Sequence, residues 1–394
     1  MEKITDQQRL KPWMGFALFA ALMVIFMTVC RYMQMHWNLV GLVLTEAVFL
    51  SIAICFCLIR KVSIKEVFPV KKPKIRDLFG CLFLLLAGQS FSVIATLIVG
   101  ILFPSWTSDA YELSSFLYSG NAVISFLIVA VTPAICEEAI HRGAILSCFR
   151  SLKDDRLIIL IMAILFGINH MSPLRFLATA ILGAVLSYVL VKKNNILLTA
   201  LMHFANNAYS SIIGILGAKA SQNSTPAAAF SLSSLGIYLI IGFMAPVFLV
   251  LGCMLLNPEK HKKIRFLFAG IASALMLVSG ILLFSSSYMK KPICDCEISY
   301  TVTAEDPDTW MEFGVEEERD YSVTVIINCS KTADYRFTME DASGNLIFDE
   351  TLDSDLGIKT FTSTAHLPVG SYLTRIYAED GSLNDHPEIR ITVR

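Results

Sequence analysis

The feature that most constrains this chain is a succession of apolar windows, most of them close to the roughly 20 residues that cross the hydrocarbon core of a bilayer. They fall at 12–30, 38–59, 78–103, 122–148, 157–170, 174–191, 196–217, 231–256 and 266–288, the fifth being short. Such a chain reads as an all-α polytopic membrane bundle of about nine spans. With 55% hydrophobic and only 16% charged residues, an ordinary soluble enzyme is excluded on usage alone. The first window follows a mildly basic stretch like a signal anchor, but no small-x-small cleavage site follows it, so it is read as retained.

Charge sorting supplies an orientation. The net charge of −1 hides 25 basic and 12 acidic residues up to Lys291, against 7 basic and 21 acidic beyond it. Cations gather at Lys3–Lys11, Arg60–Arg76, Arg142–Arg156, Lys192–Lys193 and Lys260–Arg265, which alternate with segments that hold few. Because Lys and Arg near span ends stay on the cytoplasmic side, the reading is N-terminus inside and C-terminal domain outside. The run from Lys61 to Arg76 is most simply a topology determinant and an anionic-lipid contact.

The division predicted is a transmembrane helical domain over 1–291 and an extracytoplasmic β-sandwich domain over 292–394. Alternating β-branched and aromatic runs, including Tyr321–Ile327, Tyr335–Met339, Tyr372–Tyr377 and Ile389–Val393, are separated by turn clusters such as Asp341–Asn345. This pattern is read as a small sandwich of immunoglobulin-like type, a binding or shielding module whose extracellular ligand is left open. An oxidising exterior would permit Cys294 or Cys296 to pair with Cys329, leaving one thiol over.

Ionisable groups inside spans are functional candidates by default, since each costs several kcal/mol there. They concentrate in three windows, which carry Glu137, Glu138, His141 and Arg142; then Asn169 and His170; then His203, Asn206 and Asn207. Glu46 is the other in-span charge, read as a structural hydrogen-bonding group. Helical spacing places Glu138 and Arg142 on one face, so the arginine pairs with that carboxylate and leaves Glu137 free. Counted from the cytoplasmic ends at about 1.5 Å per residue, Glu137 and His170 lie about 20 Å deep and His203 about 13 Å deep. They can then meet around one cavity, read as open to the cytoplasm. Ser172-Pro173 breaks the chain after His170, which predicts a hairpin turning at membrane depth. His141 is read as a neutral neighbour near the cytoplasmic mouth.

A buried carboxylate can take a proton from water, a histidine can hold that water, and a His/Asn pair can donate to an oxyanion. Amide hydrolysis needs all three functions. Glu137-Glu138-x-x-x-Arg142, Phe166-x-x-x-His170 and His203-x-x-x-Asn207 together resemble the motifs of the CPBP family of intramembrane proteases. That group contains CAAX prenyl endopeptidases and bacteriocin-processing and immunity proteins, and the resemblance covers about 120–215. It implies an intramembrane endopeptidase in which Glu137 is the general base and His170 positions the water. His203 and Asn207 would stabilise the oxyanion, with Glu138 and Arg142 in support. The implied substrate is a membrane-associated peptide or protein, of CAAX or leader-peptide type, and the implied partners are that substrate and the lipid bilayer, with no nucleic acid.

Glu137, His170 and His203 also offer the ligand types of a His2Glu zinc site with an open fourth position. No His-Glu-x-x-His helix is present, and His203-x-x-x-Asn207 makes better sense as an oxyanion pair, so the metal-free assignment is preferred and a divalent metal such as zinc kept as the alternative. A non-proteolytic protein, either a proton-coupled transporter or a bacteriocin immunity scaffold, is the competing functional class.

Overall fold

The computed structural model describes residues 10–107, 116–118, 121–220, 230–258, 263–289, 293–299, 308–329, 334–352, 357–378 and 387–394. Two compact units result, Met1–Ser285 and Ser286–Arg394.

The first unit is helical: α1 (Pro12–Ile25), α2 (Arg31–Arg60), α3 (Ile75–Leu102), α4 (Ala122–Leu152), α5 (Asp155–Asn169), α6 (Pro173–Lys193), α7 (Ile196–Ala220), α8 (Leu232–Ile241), α9 (Ala245–Leu256) and α10 (Ile264–Met289). Every predicted window falls on one or more of these helices. Six segments of the described residues are long and apolar enough to cross a membrane, the first of them being Pro12–Arg60. That segment is not one rod. Asn38 sits at φ 46°, ψ −124°, Gln34 Nε2 donates to Thr45 Oγ1 at 2.9 Å, and Phe26 meets Phe49 at 5.6 Å between ring centroids. In a straight helix residues 11 apart are separated by about 16 Å, so the chain doubles back near Asn38 into a helical hairpin. Gly41 permits the return, because a Cβ there would lie 2.2 Å from the Met33 carbonyl oxygen.

Apolar side chains point outward along these helices. On α10, Leu267, Phe268, Ile271, Leu275, Val278 and Leu282 are all more than 45% exposed. In water such a stripe would be an unpaid hydrophobic penalty; in lipid it is the solvent-facing surface. The chain is an integral membrane protein.

At one end of the unit lie Lys11, Arg60, Lys74, Arg150, Arg156, Lys193 and Lys263, each at or next to a helix terminus. This end is stitched together. Lys193 Nζ meets Asp77 at 2.8 Å, Lys192 pairs with Asp155, and Asn195 exchanges hydrogen bonds with the Lys71 backbone at 2.9 and 3.1 Å. Leu10, Cys148, Phe149, Leu190 and Leu198 are buried beneath. Asp154 caps α5 by accepting from the backbone of Arg156 and Leu157, and Pro173 opens α6 at a position where its missing N–H costs nothing.

The second unit is all-β, with strands β1 (Cys294–Ser299), β2 (Asp308–Val315), β3 (Arg319–Cys329), β4 (Tyr335–Asp341), β5 (Leu346–Leu352), β6 (Gly357–Leu367), β7 (Gly370–Ala378) and β8 (Glu388–Val393). They form two antiparallel sheets, ordered β1-β8-β3-β6 and β2-β7-β4-β5. An immunoglobulin constant domain orders its seven strands 1-2-5-4 and 3-6-7, so the observed order departs from the predicted type. Eight strands shared between two such sheets make a jelly roll. Its core is Val323, Val325, Ile327, Phe337, Met339, Ile391 and their neighbours. Tyr321 and Tyr372 each donate a hydroxyl to the carbonyl four residues earlier, of Glu317 and Pro368, at 2.7 Å.

Cys294 and Cys296 are free thiols. The backbone register sets both apart from Cys329, whose side chain lies outside the described residues. Cys296 lies opposite Ile391, which lies opposite Val325, four residues along β3 from Cys329. Two strand spacings and four residues amount to about 16 Å, beyond the roughly 7 Å Cα separation that a disulfide spans.

Candidate active site

The middle of α4 is not regular α-helix. Residues Leu127–Val131 and Glu138–Ile145 are π turns, which widen the helix locally and are frequent at functional sites. All eight residues of Glu138–Ile145 are buried. Within this stretch Arg142 Nη1 lies 3.1 Å from Glu138 Oε1, with side chains 0% and 1% exposed. Arg142 Nη2 also reaches the Gly183 carbonyl on α6 at 3.4 Å. The contact needs glycine, since a Cβ at Gly183 would stand 2.9 Å from the Phe166 Cβ.

Glu138 and Glu137 are tied to α7 through one imidazole. His203 Nδ1 donates to Glu138 Oε1 at 2.9 Å, and its Nε2 faces Glu137 Oε2 at 3.8 Å. On α5, His170 Nδ1 donates to the Phe166 carbonyl at 2.9 Å, which leaves its Nε2 turned elsewhere. Asn207 donates to the Val129 carbonyl at 3.2 Å and accepts from Asn206 at 3.1 Å. A second N–H of the Asn207 amide remains for another acceptor.

Phe166 is at the centre of this arrangement. The Arg142 guanidinium lies 4.1 Å over its ring, and His141, His170 and His203 meet it edge-on at 5.2, 4.9 and 5.8 Å. Its role is electrostatic as well as one of packing, since a ring face attracts a cation. His141 is fully buried between Phe19 and Phe166 and is not at a mouth, which corrects its predicted place.

Glu137, His170, His203 and Asn207 all line one cavity of about 810 Å³. Glu46, Tyr118, Asn169, Arg175 and Asn206 line it as well. Glu46 was legible as an in-span charge but not as a neighbour of the site, and Arg175 was not singled out by the sequence at all. The cavity occupies the half of the bundle away from the cation-rich end. Its walls include Thr96 and Leu97 on α3, Ile128 on α4, Thr179 on α6 and Ser210 on α7. The cation-rich end beneath is packed shut, so the cavity does not open there as the sequence reading held.

The metal alternative is tested by the donor set. Among the described residues no three His, Cys, Asp or Glu side chains form a group that could hold a metal ion. Glu137 and His203 approach each other, while His170 turns one ring nitrogen to its own helix. The alternative ligand set of Glu137, His170 and His203 is not drawn to one point in this arrangement.

Carboxylates, histidines and amides thus gather around one cavity inside a membrane bundle, where ionisable groups are functional candidates by default. Residues 119–209 match the model of the Rce1-like family, described as type II CAAX prenyl endopeptidase Rce1-like. That match supports a segment of the CPBP type of intramembrane protease within the helical unit. Among curated proteins nothing matches. Of solved structures, the pre-peptidase C-terminal domain of collagenase from Bacillus anthracis is similar over 25% of this chain and 89% of its own, at 13% identity and a TM-score of 0.19.

Proposed function

We propose that the protein is an intramembrane endopeptidase that hydrolyses a peptide bond of a membrane-associated substrate with a water activated by Glu137. The observation that carries this is the convergence of Glu137, His170, His203 and Asn207, from three helices, on one cavity. With Glu138 held by Arg142, Glu137 is the member of the adjacent glutamate pair left to act on water. Water oxygen attacks the scissile carbonyl carbon while its proton passes to Glu137 Oε2. His170, its Nδ1–H already given to Phe166, accepts from that water through Nε2 and holds it in line. The oxyanion is met by Asn207 and by His203, whose Nε2–H requires a protonated ring; Glu138 supplies the counter-charge through Nδ1. Collapse breaks the C–N bond, and Glu137 returns the proton to the departing amine.

By the cation rule the N-terminus is cytoplasmic and the β domain extracytoplasmic. CAAX-type and leader-peptide-type substrates both suit the chemistry.

Purified protein in detergent should cleave a quenched fluorogenic peptide library, and Glu137→Ala should lower the rate by about 10²–10⁴-fold, the usual worth of a general base, without moving thermal melting. Unchanged cleavage in that variant sinks the mechanism. Proton or solute flux in proteoliposomes that is lost in Glu137→Gln, with no proteolysis, would move the assignment to transport.

A further inference from the structure

We infer that the active-site cavity receives its peptide from the extracytoplasmic side of the membrane. The reading of what enters rests on the peptidase assignment; the position of the mouth does not.

Depth along each helix carries the argument. Measured from the cation-rich terminus of its own helix, every wall residue on α2 to α7 is at least seven residues away. The nearest is His203, seven residues from Ile196 on α7 and therefore about 10 Å in. Glu137 is fifteen residues from Leu152, about 22 Å, and Ile128 about 36 Å. On α3 the wall runs from Gln89 to Leu97, about 21–33 Å from Ile75. On α6 it runs from Leu182 back to Arg175, about 16–27 Å from Lys193. The cavity thus begins at the depth of the glutamates and continues only away from the cations.

The other direction is closed. Between the glutamates and the cation-rich end, Ile140, Ala144, Ile145, Leu146 and Phe149 of α4 are 0–1% exposed and pack with Met162 and Leu190. Beyond them stand the Lys193–Asp77 and Lys192–Asp155 pairs. A peptide has no route to Glu137 through this plug. Lys and Arg clustered at span ends mark the cytoplasmic face, so the reachable face is the opposite one. The wall there combines apolar surface from Phe49, Val93 and Leu97 with Gln34, Thr96 and Arg175, which suits a peptide lying at the outer leaflet with its backbone polar groups satisfied. The substrate class is then a secreted or membrane-anchored polypeptide presented outside the cell membrane, and a peptide confined to the cytoplasm is excluded.

Thiol accessibility in intact cells tests the mouth without any activity. In the full chain carrying Cys294→Ser, Cys296→Ser and Cys329→Ser, Ser210→Cys lies in the cavity wall and Ser151→Cys on the cation-rich end. A sulfonated, membrane-impermeant maleimide should label Ser210→Cys in intact cells several-fold above the parent chain, and Ser151→Cys only after permeabilisation. Labelling of Ser210→Cys only after permeabilisation, or under neither condition, overturns the proposal, as does labelling of Ser151→Cys from outside. As a second measurement on the unmodified chain, externally added fluorogenic peptide should be cut by right-side-out vesicles and spared by inverted ones; the reverse also overturns it. If detergent-solubilised protein cuts no peptide, the peptidase reading fails while the labelling still decides where the cavity opens.

Discussion

Arg142–Glu138 in the helical unit and Arg336–Asp349 in the β unit are pairs of the same chemistry in opposite surroundings. The first is sealed, with side chains 0% and 1% exposed; the second is bidentate at 2.6 Å yet more than a third exposed on both sides. Burial strips both partners of water, so neither can lose the other cheaply, whereas exposed pairs are worth little because water replaces either partner. The contrast extends to the histidines. His203 stands against two buried glutamates, while His366, on β6, bonds Asp320 and Glu318 in the open. In this protein polar groups hold a chemical arrangement in place where they are buried and decorate a surface where they are not.

That contrast can be broken in order of expected effect. Glu138→Ala should destabilise the helical unit by about 3–5 kcal/mol, the usual consequence of stranding a buried charge, seen as loss of monodisperse protein and a lower melting temperature in detergent; a variant that melts like the parent would erase the distinction. His203→Ala should lower kcat by about 10²–10³-fold, as for removal of one oxyanion donor, with KM nearly kept. On the β side, Tyr321→Phe removes a buried hydroxyl bond to the Glu317 carbonyl and should cost about 1 kcal/mol, read as an earlier transition of that domain in urea. The smallest effect is a pH dependence. Asp320 first and then Glu318 raise the His366 imidazole above its ordinary value. Its contribution is complete below the unfolded value near 6.5 and is lost as pH rises through the folded value. Ring NMR with His366→Asn as the assignment control should show a midpoint above 6.5; one at or below it refutes the pairing.

Much of the site was legible because carboxylates and imidazoles in apolar windows have few innocent explanations, and Glu137, His170, His203 and Asn207 do meet. Arg175 and Glu46 were not read as part of it, since each stands alone on its own helix and only tertiary packing brings it to the cavity. The π turns of α4 leave no periodic mark that a helical count detects. In the β unit the alternating runs Tyr321–Ile327, Tyr335–Met339, Tyr372–Tyr377 and Ile389–Val393 all lie on strands, whereas β2 and β6 carry weaker patterns. Both occupy sheet edges, where polar residues such as Thr360, Thr362 and Thr364 on β6 protect an unpaired ladder and blur the alternation. The jelly-roll order was invisible for another reason: strand pairing is set by long-range contacts, and alternation reports only that a strand has two faces.

The brevity of α5 has a consequence for the lipid. Its 15 residues span about 22 Å, against a hydrocarbon core of about 30 Å, and Leu157, Leu160, Ile164 and Ile168 form an outward stripe along it. Acyl chains beside that stripe must compress by several ångströms to cover its ends without wetting them. His170, the proposed water-positioning residue at its terminus, would then lie beside a thinned patch of bilayer, and turnover should depend on acyl-chain length, falling as the surrounding membrane is made thicker.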